Sequence, residues 1–192
     1  MGYQWSSSLG PPELNSSIVI PVFNEEHTIG TILKTVANSE LVNEIVIIND
    51  CSTDNSKQVI KKTIGIISKE KTNLKFQFSD NEKNKGKGAS LRKGFKLANS
   101  EVIVIQDADL EYNPDEYKRL IQPIADGRAD VVYGSRFIGG THRVLYFWHY
   151  LGNKMLTLLS NMFSNLNLTD METCYKMFRR NILAKFDLQS NR

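Results

Sequence analysis

Short runs dominated by isoleucine and valine recur along this chain at residues 17–22, 44–48 and 102–105, with further strand-like runs at 73–78 and 129–133 and stretches of helical character between them at residues 25–39, 56–67, 88–99 and 114–125. Runs of this kind read as strands buried on both faces, the pattern of a parallel sheet covered by helices. Strand and helix alternating at this spacing predict a single α/β domain with a mostly parallel sheet and right-handed crossovers. A chain of 192 residues has room for one such domain with a real core. Residues 1–16, rich in Ser, Pro and Gly, read as a loose, disordered leader.

In sheets of this class ligands collect beyond the carboxyl ends of the strands, near a switch in strand order. The candidate functional groups fall there: Asn24 and Glu25 after the first run, Asp50 after the second, Asp107 and Asp109 after the fourth, and Arg136 after the fifth. The fourth run, Val102-Ile103-Val104-Ile105, passes through Gln106 into Asp107-Ala108-Asp109. In an extended chain Asp107 and Asp109 project to the same side, and carboxylates that close repel unless a cation or proton neutralises them. A hard divalent ion, Mg²⁺ or Mn²⁺, suits an all-oxygen pair and commonly shares its shell with substrate phosphates. A solvated strand end with acidic caps is the alternative. Asn24 is placed to cap the first helix, with Glu25 and Glu26 at its positive end.

Composition excludes several classes. A net charge of +3, with no long basic run, is too mild for a nucleic-acid binder. The densest basic stretch, residues 83–96, suits phosphates or an anionic membrane, or is a solvated helix face. Two cysteines, Cys51 and Cys174, make neither a disulfide framework nor a metal cluster, which points to a reducing compartment. No apolar stretch approaches the ~18 residues of a membrane span, and the amino-terminal residues lack a signal-peptide core. Two nucleotide signatures are absent. Lys87 is followed by Gly88 rather than Ser or Thr, so residues 85–90 are not a phosphate-binding Walker loop. The turn after the first run, residues 21–26, has no glycine and so lacks the dinucleotide fingerprint. Gly86 and Gly88 suit a tight turn before a helix whose N-terminus faces an anion, or a hinge into a basic surface helix.

Four segments then occur in order: Ser17-Ile-Val-Ile-Pro-Val-Phe-Asn-Glu-Glu26, Ile48-Asn-Asp-Cys-Ser-Thr-Asp54, Asp107-Ala-Asp-Leu-Glu111 and Gly134-Ser-Arg-Phe137. Together they resemble the family 2 glycosyltransferases of GT-A fold, most closely the enzymes that move a hexose from a nucleotide sugar to a polyprenyl or dolichyl phosphate. Asp170-Met-Glu-Thr-Cys-Tyr-Lys-Met-Phe-Arg179 is similar to a segment of the same group. The resemblance implies that Pro21, Phe23 and Glu25 line a nucleoside pocket, and that Ile48 and Asp50 hold base and ribose. It also implies that Asp107, Asp109 and Glu111 hold Mg²⁺ or Mn²⁺ on the diphosphate, with Ala108 between them against the donor. Arg136 is implied to reach a phosphate of donor or acceptor; a surface salt bridge is its alternative. Cys51 departs from the glycine common at that place, which would tolerate positive φ. The family continues past this point with another strand and helix, so the domain, residues 17–192, is expected to be truncated.

A phosphate acceptor is already anionic and needs no strong general base, whereas a hydroxyl acceptor needs one within hydrogen-bond reach. Asp170 and Glu172 are the carboxylates placed for that task; metal binding, capping and acceptor positioning are their alternatives. Over residues 145–163 Leu151, Met155, Leu158, Leu159 and Met162 repeat at helical spacing, with His149, Asn153, Thr157 and Ser160 on another face. The Leu/Met stripe is expected to pack into the core. The aromatic cluster Tyr146, Phe147, Trp148 and Tyr150, flanked by Arg143 and Lys154, is expected beside lipid. The resulting expectation is a metal-dependent, inverting hexosyltransferase that uses a UDP- or GDP-hexose. Asp109, Asp170 and Arg136 are its catalytic candidates, and polyprenyl phosphate is its acceptor. It would be cytoplasmic and peripheral at the inner face of a membrane. Transfer to a saccharide hydroxyl, or nucleotide-sugar binding without catalysis, are the other readings.

Overall fold

The apolar runs become strands, and those at residues 17–22, 44–48 and 102–105 find apolar partners on both faces. In a computed structural model describing residues 14–110, 113–135, 147–173, 175–183, 185 and 188–191, these are β1 (Ser16–Val22), β2 (Val42–Asn49), β3 (Lys75–Asp80), β4 (Val102–Ile105) and β5 (Val131–Tyr133). Between them lie α1 (Ile29–Asn38), α2 (Ser56–Glu70), α3 (Lys87–Leu97) and α4 (Tyr117–Ala125), the last entered through a 3-10 turn at Pro114–Glu116. A long helix, α5 (Phe147–Ser164), precedes β6 (Lys176–Arg179) and the short α6 (Arg180–Leu183).

The six strands form one sheet in the order β3-β2-β1-β4-β6-β5. β1 pairs in parallel with β2 on one side and β4 on the other, and β2 pairs in parallel with β3. The sheet is therefore wound outward in both directions from β1, which creates the crevice where such folds bind ligands. β6 runs antiparallel between β4 and β5. The sequence predicts no strand there, because Lys-Met-Phe-Arg has no aliphatic run; the open edges of β4 and β5 supply the pairing that propensity does not.

Strict alternation divides the core. Ile18, Ile20 and Val22 of β1, with Ile45 and Ile47 of β2 and Val102 and Val104 of β4, face α1, α2 and α4. Val19, Val46, Ile48 and Ile103 face the other way, against Leu91 and Phe95 of α3. Each such fully buried aliphatic contributes roughly 1.5–3 kcal/mol relative to exposure. Gly94 lets α3 lie directly on the sheet, since a Cβ there would collide with Val19 Cγ1.

Three expectations are corrected. The first helix begins at Ile29 rather than residue 25, and Asn24 does not cap it. Asn24 adopts φ 56°, and its Oδ1 accepts the Thr53 N–H at 2.8 Å. The helix starts late because the Asn24 and Glu26 side chains and the Glu25 N–H are taken up by the segment after β2. Ser16, read as leader, already pairs with Val42; residues 1–13 lie outside the described residues. The third correction concerns α5, whose Leu/Met stripe does not enter the core. Leu151, Met155, Leu158, Leu159 and Met162 are all exposed, while Asn153 and Thr157 are the buried residues of this helix.

At the end of the sheet away from the crevice, Glu44 is buried yet ionised. Its carboxylate accepts Ser17 Oγ–H at 2.5 Å, Gln77 Nε2–H at 2.7 Å, and the Asn99 backbone and side-chain N–H groups at 2.8 and 2.9 Å. Burial alone would raise its pKa, but the bonds from Ser17, Asn99 and Gln77 outweigh that and hold it below the ordinary glutamate value. A depressed pKa means stability present above the ordinary range of ~4.3 and lost as pH falls through it toward the folded value. Glu44→Gln sets an amide N–H against donors, so about 1–3 kcal/mol of stability should be lost at neutral pH. Urea melts at neutral and acid pH should show a smaller acid loss in the variant than in the parent. Equal losses would refute this assignment.

Candidate functional site

A cavity of about 380 Å³ opens beyond the carboxyl ends of β1, β2 and β4, at the winding switch and within the ~300–1,000 Å³ common for ligand sites. Its walls come from separate segments of the chain. Pro21, Phe23 and Glu25 arrive from the end of β1, Asp50 from the end of β2, and Gly86, Lys87 and Ser90 from the start of α3. Asp107, Ala108 and Asp109 follow β4.

The β1 and β2 loops are held together by backbone groups. Glu25 N–H donates to Ser56 Oγ at 2.7 Å, and Glu26 N–H donates to Asp54 Oδ2 at 3.0 Å. In return Asn55 N–H donates to Glu26 Oε2 at 2.8 Å. This lacing leaves Phe23 46% exposed on the cavity wall, so its ring is not spent on core packing. Cys51 takes φ 61°, the glycine-like geometry of this turn, and bears the steric cost of a Cβ in the left-handed region.

Asp50 is buried, and its carboxylate is used by the neighbouring loop. It accepts Asn81 Nδ2–H at 2.7 Å, Lys85 N–H at 3.0 Å and Gly86 N–H at 2.7 Å. Those bonds shape the turn in which Gly86, at φ 88°, launches α3 from the cavity wall back along the sheet. Ile48 lies one position before Asn49 at the end of β2, but its side chain is fully buried against α3 and does not reach the cavity. Sequence reasoning on Asp50 and Ile48 thus meets one residue that shapes the site and one that supports it from beneath.

The acidic turn has its own scaffold. β4 ends at Ile105, before the carboxylates, yet Ala108 is buried while Asp107 and Asp109 on either side line the cavity. Gln106, fully buried, donates from Nε2 to the Asp107 carbonyl at 3.0 Å and accepts Tyr117 O–H at 2.7 Å. Burial drives the Tyr117 pKa far up, so this hydroxyl stays a donor. Lys87 Nζ stands 2.6 Å from Asp107 Oδ1. No cluster of three or more His, Cys, Asp or Glu suited to a metal occurs among the described residues. Two carboxylates in one cavity nevertheless fit Mg²⁺ or Mn²⁺, which take one or two protein carboxylates and complete their shell with water and phosphate. The ammonium on Asp107 shows that this position attracts a cation. Glu111 and Arg136 lie outside the described residues.

Asp170 and Glu172 are not part of this cavity's wall. Asp170 is 2% exposed, and Asn153 of α5 donates from Nδ2 to Asp170 Oδ1 at 3.1 Å and to Glu172 Oε2 at 2.8 Å. Met171 N–H donates to Thr157 Oγ1 at 3.3 Å. The 170–172 segment thus needs hydrogen-bonding partners from α5, which only the polar face can provide. That need turns the helix inside out and leaves Phe147, Trp148, Met155, Leu158, Met162 and Phe163 facing outward. No helix among the described residues is long and apolar enough to cross a membrane.

Ser90 is a cavity residue that sequence reasoning did not single out, and Lys87 was read only as part of the basic stretch at residues 83–96. The glycines flanking Lys87 signalled a turn before a helix, but only the fold brings that turn over the ends of β1 and β2.

Comparison with known proteins agrees with this geometry. The profile described as Glycosyl transferase family 2 matches residues 17–186. The undecaprenyl-phosphate 4-deoxy-4-formamido-L-arabinose transferase of Pseudomonas syringae is 28% identical over 171 residues, 87% of this chain and 48% of that protein. The dolichol-phosphate mannosyltransferase of Pyrococcus furiosus is 31% identical over 126 residues, 65% of this chain and 34% of that protein. The chain therefore spans half or less of the length of these relatives. Among solved structures, glucosyl-3-phosphoglycerate synthase from Mycobacterium tuberculosis, in complex with Mn²⁺, UDP and glucosyl-3-phosphoglycerate, superposes with a TM-score of 0.68 at 18% identity, over 90% of this chain and 59% of its own. A mannosyltransferase from Pyrobaculum calidifontis, in complex with GDP-Man and Mn²⁺, gives 0.68 at 15% identity, over 98% of this chain and 52% of its own. At these identities the likeness shows the fold, which is the GT-A arrangement.

Proposed function

The chain belongs to glycosyl transferase family 2, and from that premise we propose that its cleft takes a UDP- or GDP-linked hexose and passes the sugar, with inversion, to a polyprenyl phosphate. The observation that carries this reading is the meeting of Asp107, Asp109 and Lys87 in one cavity with Phe23, Glu25 and Asp50. One end of the cleft offers an exposed ring and polar groups for a nucleoside, and the other offers charge for a diphosphate. Asp107 and Asp109 would hold Mg²⁺ or Mn²⁺, which when bound neutralises the diphosphate and stabilises the leaving nucleotide. Lys87 is a cation within reach of the same phosphates, and Phe23 presents its face to the base or ribose. Arg136, carried two residues past Gly134, would add a planar fork for phosphate oxygens.

In the reaction an acceptor oxygen attacks the anomeric carbon and the bond from that carbon to the diphosphate oxygen breaks. Neither Asp170 nor Glu172 is among the residues lining the cavity, and both accept from Asn153. That favours an acceptor already ionised, such as a lipid phosphate. The names of the relatives from Pseudomonas syringae and Pyrococcus furiosus point the same way. The exposed apolar side of α5 supports peripheral contact with the cytoplasmic face of a membrane, since a helix with apolar residues outward suits the lipid interface.

The experiment is turnover with labelled UDP- and GDP-hexoses, with and without polyprenyl phosphate, alongside flotation with anionic vesicles. Transfer to the lipid phosphate and salt-sensitive flotation are expected. Phe147→Ser with Trp148→Ser should reduce both while sparing nucleotide binding. Efficient transfer to a water-soluble saccharide, with no flotation at low salt, would replace this reading by hydroxyl transfer. Nucleotide-sugar binding without turnover would leave a binding domain.

A further inference from the structure

The first turn of α3 holds a hydroxyl that the protein does not use. Ser90 is fully buried, and its Oγ has no hydrogen-bond partner. Its backbone N–H is satisfied by the Gly86 carbonyl at 3.1 Å, so only the side chain is left over. Native proteins pair nearly all their buried polar groups, because an unpaired one loses its hydration without return. A hydroxyl kept in this state calls for a partner that arrives later.

Its position says which part of a ligand that partner is. Ser90 lines the same cavity as Pro21 and Asp50. Four residues further along α3, Gly94 rests on Val19 of β1 and Ile48 of β2. One turn nearer the helix start, Ser90 therefore stands over the ends of those two strands, beside Pro21 and Asp50. Lys87, which begins the helix, is drawn instead to Asp107. Gly86, which precedes the helix, has no side chain to cap it, and the Gly88 N–H is met by the Asn191 carbonyl at 3.1 Å. The hydroxyl sits at the end of the cleft where the nucleoside belongs, and the charged groups sit at the end where the diphosphate belongs.

We propose that Ser90 Oγ is a recognition group of the donor site, making a hydrogen bond to a ribose or base polar atom of the bound nucleotide. This rests on the donor-site reading above and adds to it a residue on the buried side of the cleft. The hydroxyl can donate or accept, so it serves either kind of nucleoside atom, and the bond it makes is worth most where water is excluded.

The test compares the parent protein with Ser90→Ala by calorimetry against UDP, GDP and inorganic pyrophosphate, each with Mn²⁺, and by thermal melts without ligand. The variant should bind the preferred nucleotide about three- to tenfold more weakly, the scale of one neutral hydrogen bond. Its affinity for pyrophosphate should be unchanged, because that probe lacks the nucleoside. Its ligand-free melting temperature should hold or rise, because an unpaired buried hydroxyl has been removed. Equal nucleotide affinity in parent and variant overturns the proposal. So does an equal loss for pyrophosphate, which would place the hydroxyl on the phosphates. A lowered melting temperature with unchanged affinity would show a structural bond, also against it. If the parent binds neither UDP nor GDP with Mn²⁺, the donor-site reading itself fails, an outcome distinct from the others.

Discussion

Replacing Asp109 by Asn should remove most of the metal-dependent part of nucleotide binding while leaving the fold intact. In the parent, UDP or GDP should bind far more tightly with Mn²⁺ or Mg²⁺ than with EDTA, because Asp107 and Asp109 line the cavity proposed to receive the diphosphate. Without a metal the ligand would meet carboxylate charge that Lys87 offsets only in part; with one, the local electrostatics invert. Asn keeps the shape and a carbonyl oxygen but loses the charge. Outer-shell changes at metal sites already cost about 10–100-fold, so loss of a ligand's charge should cost about a hundredfold or more in metal-supported affinity and in turnover. The variant should melt close to the parent, since Gln106 and Tyr117 hold the turn from behind. Calorimetry that finds equal affinity with and without metal in the parent would sink the assignment.

Asp50→Ala is expected to act twice. Removing a buried carboxylate that accepts from Asn81, Lys85 and Gly86 leaves three donors to be satisfied elsewhere. It should weaken nucleoside binding by about 1–3 kcal/mol, the scale of hydrogen bonds to a charged group. Because the same bonds set the turn at Gly86 that opens α3, a comparable loss should appear in a denaturant melt without ligand. Association with vesicles should not change, since α5 is held by other contacts. If the variant binds UDP and GDP as the parent does, the nucleoside end of the cleft has been put in the wrong place.

The sequence shows the strands of this protein more clearly than its helix starts. β4 occupies the residues the apolar run predicts, because burial on both faces leaves no other use for four branched aliphatics in a row. α1 begins four residues late because Asn24, Glu25 and Glu26, good capping residues in isolation, bond instead to a loop about thirty positions away. β6 is invisible to pattern because its pairing partners, not its composition, make it a strand. Of the residues lining the cavity, Glu25, Asp50, Asp107 and Asp109 were expected because each lies just past a strand end, and Pro21, Phe23 and Ala108 only through the family resemblance. Lys87 and Ser90 were not, because a helix start declares its direction only once it is packed.

α5 marks the boundary between the two kinds of information. Its period and the identity of its two faces are written in the order of its residues, as are the alternation of strand and helix and the acidic turn after β4. Which face turns inward is not written there. Apolar pattern favours Leu151, Met155, Leu158, Leu159 and Met162 as the buried side, and a general hydrophobic argument would choose them. The folded chain chooses Asn153 and Thr157, because they meet a buried Asp170 and the backbone of Met171, whose hydrogen bonds Leu and Met cannot make. A buried polar group without a partner is costly enough to decide the contest. Local chemistry therefore sets what each segment can become, and long-range hydrogen bonding decides which of its surfaces is kept from water.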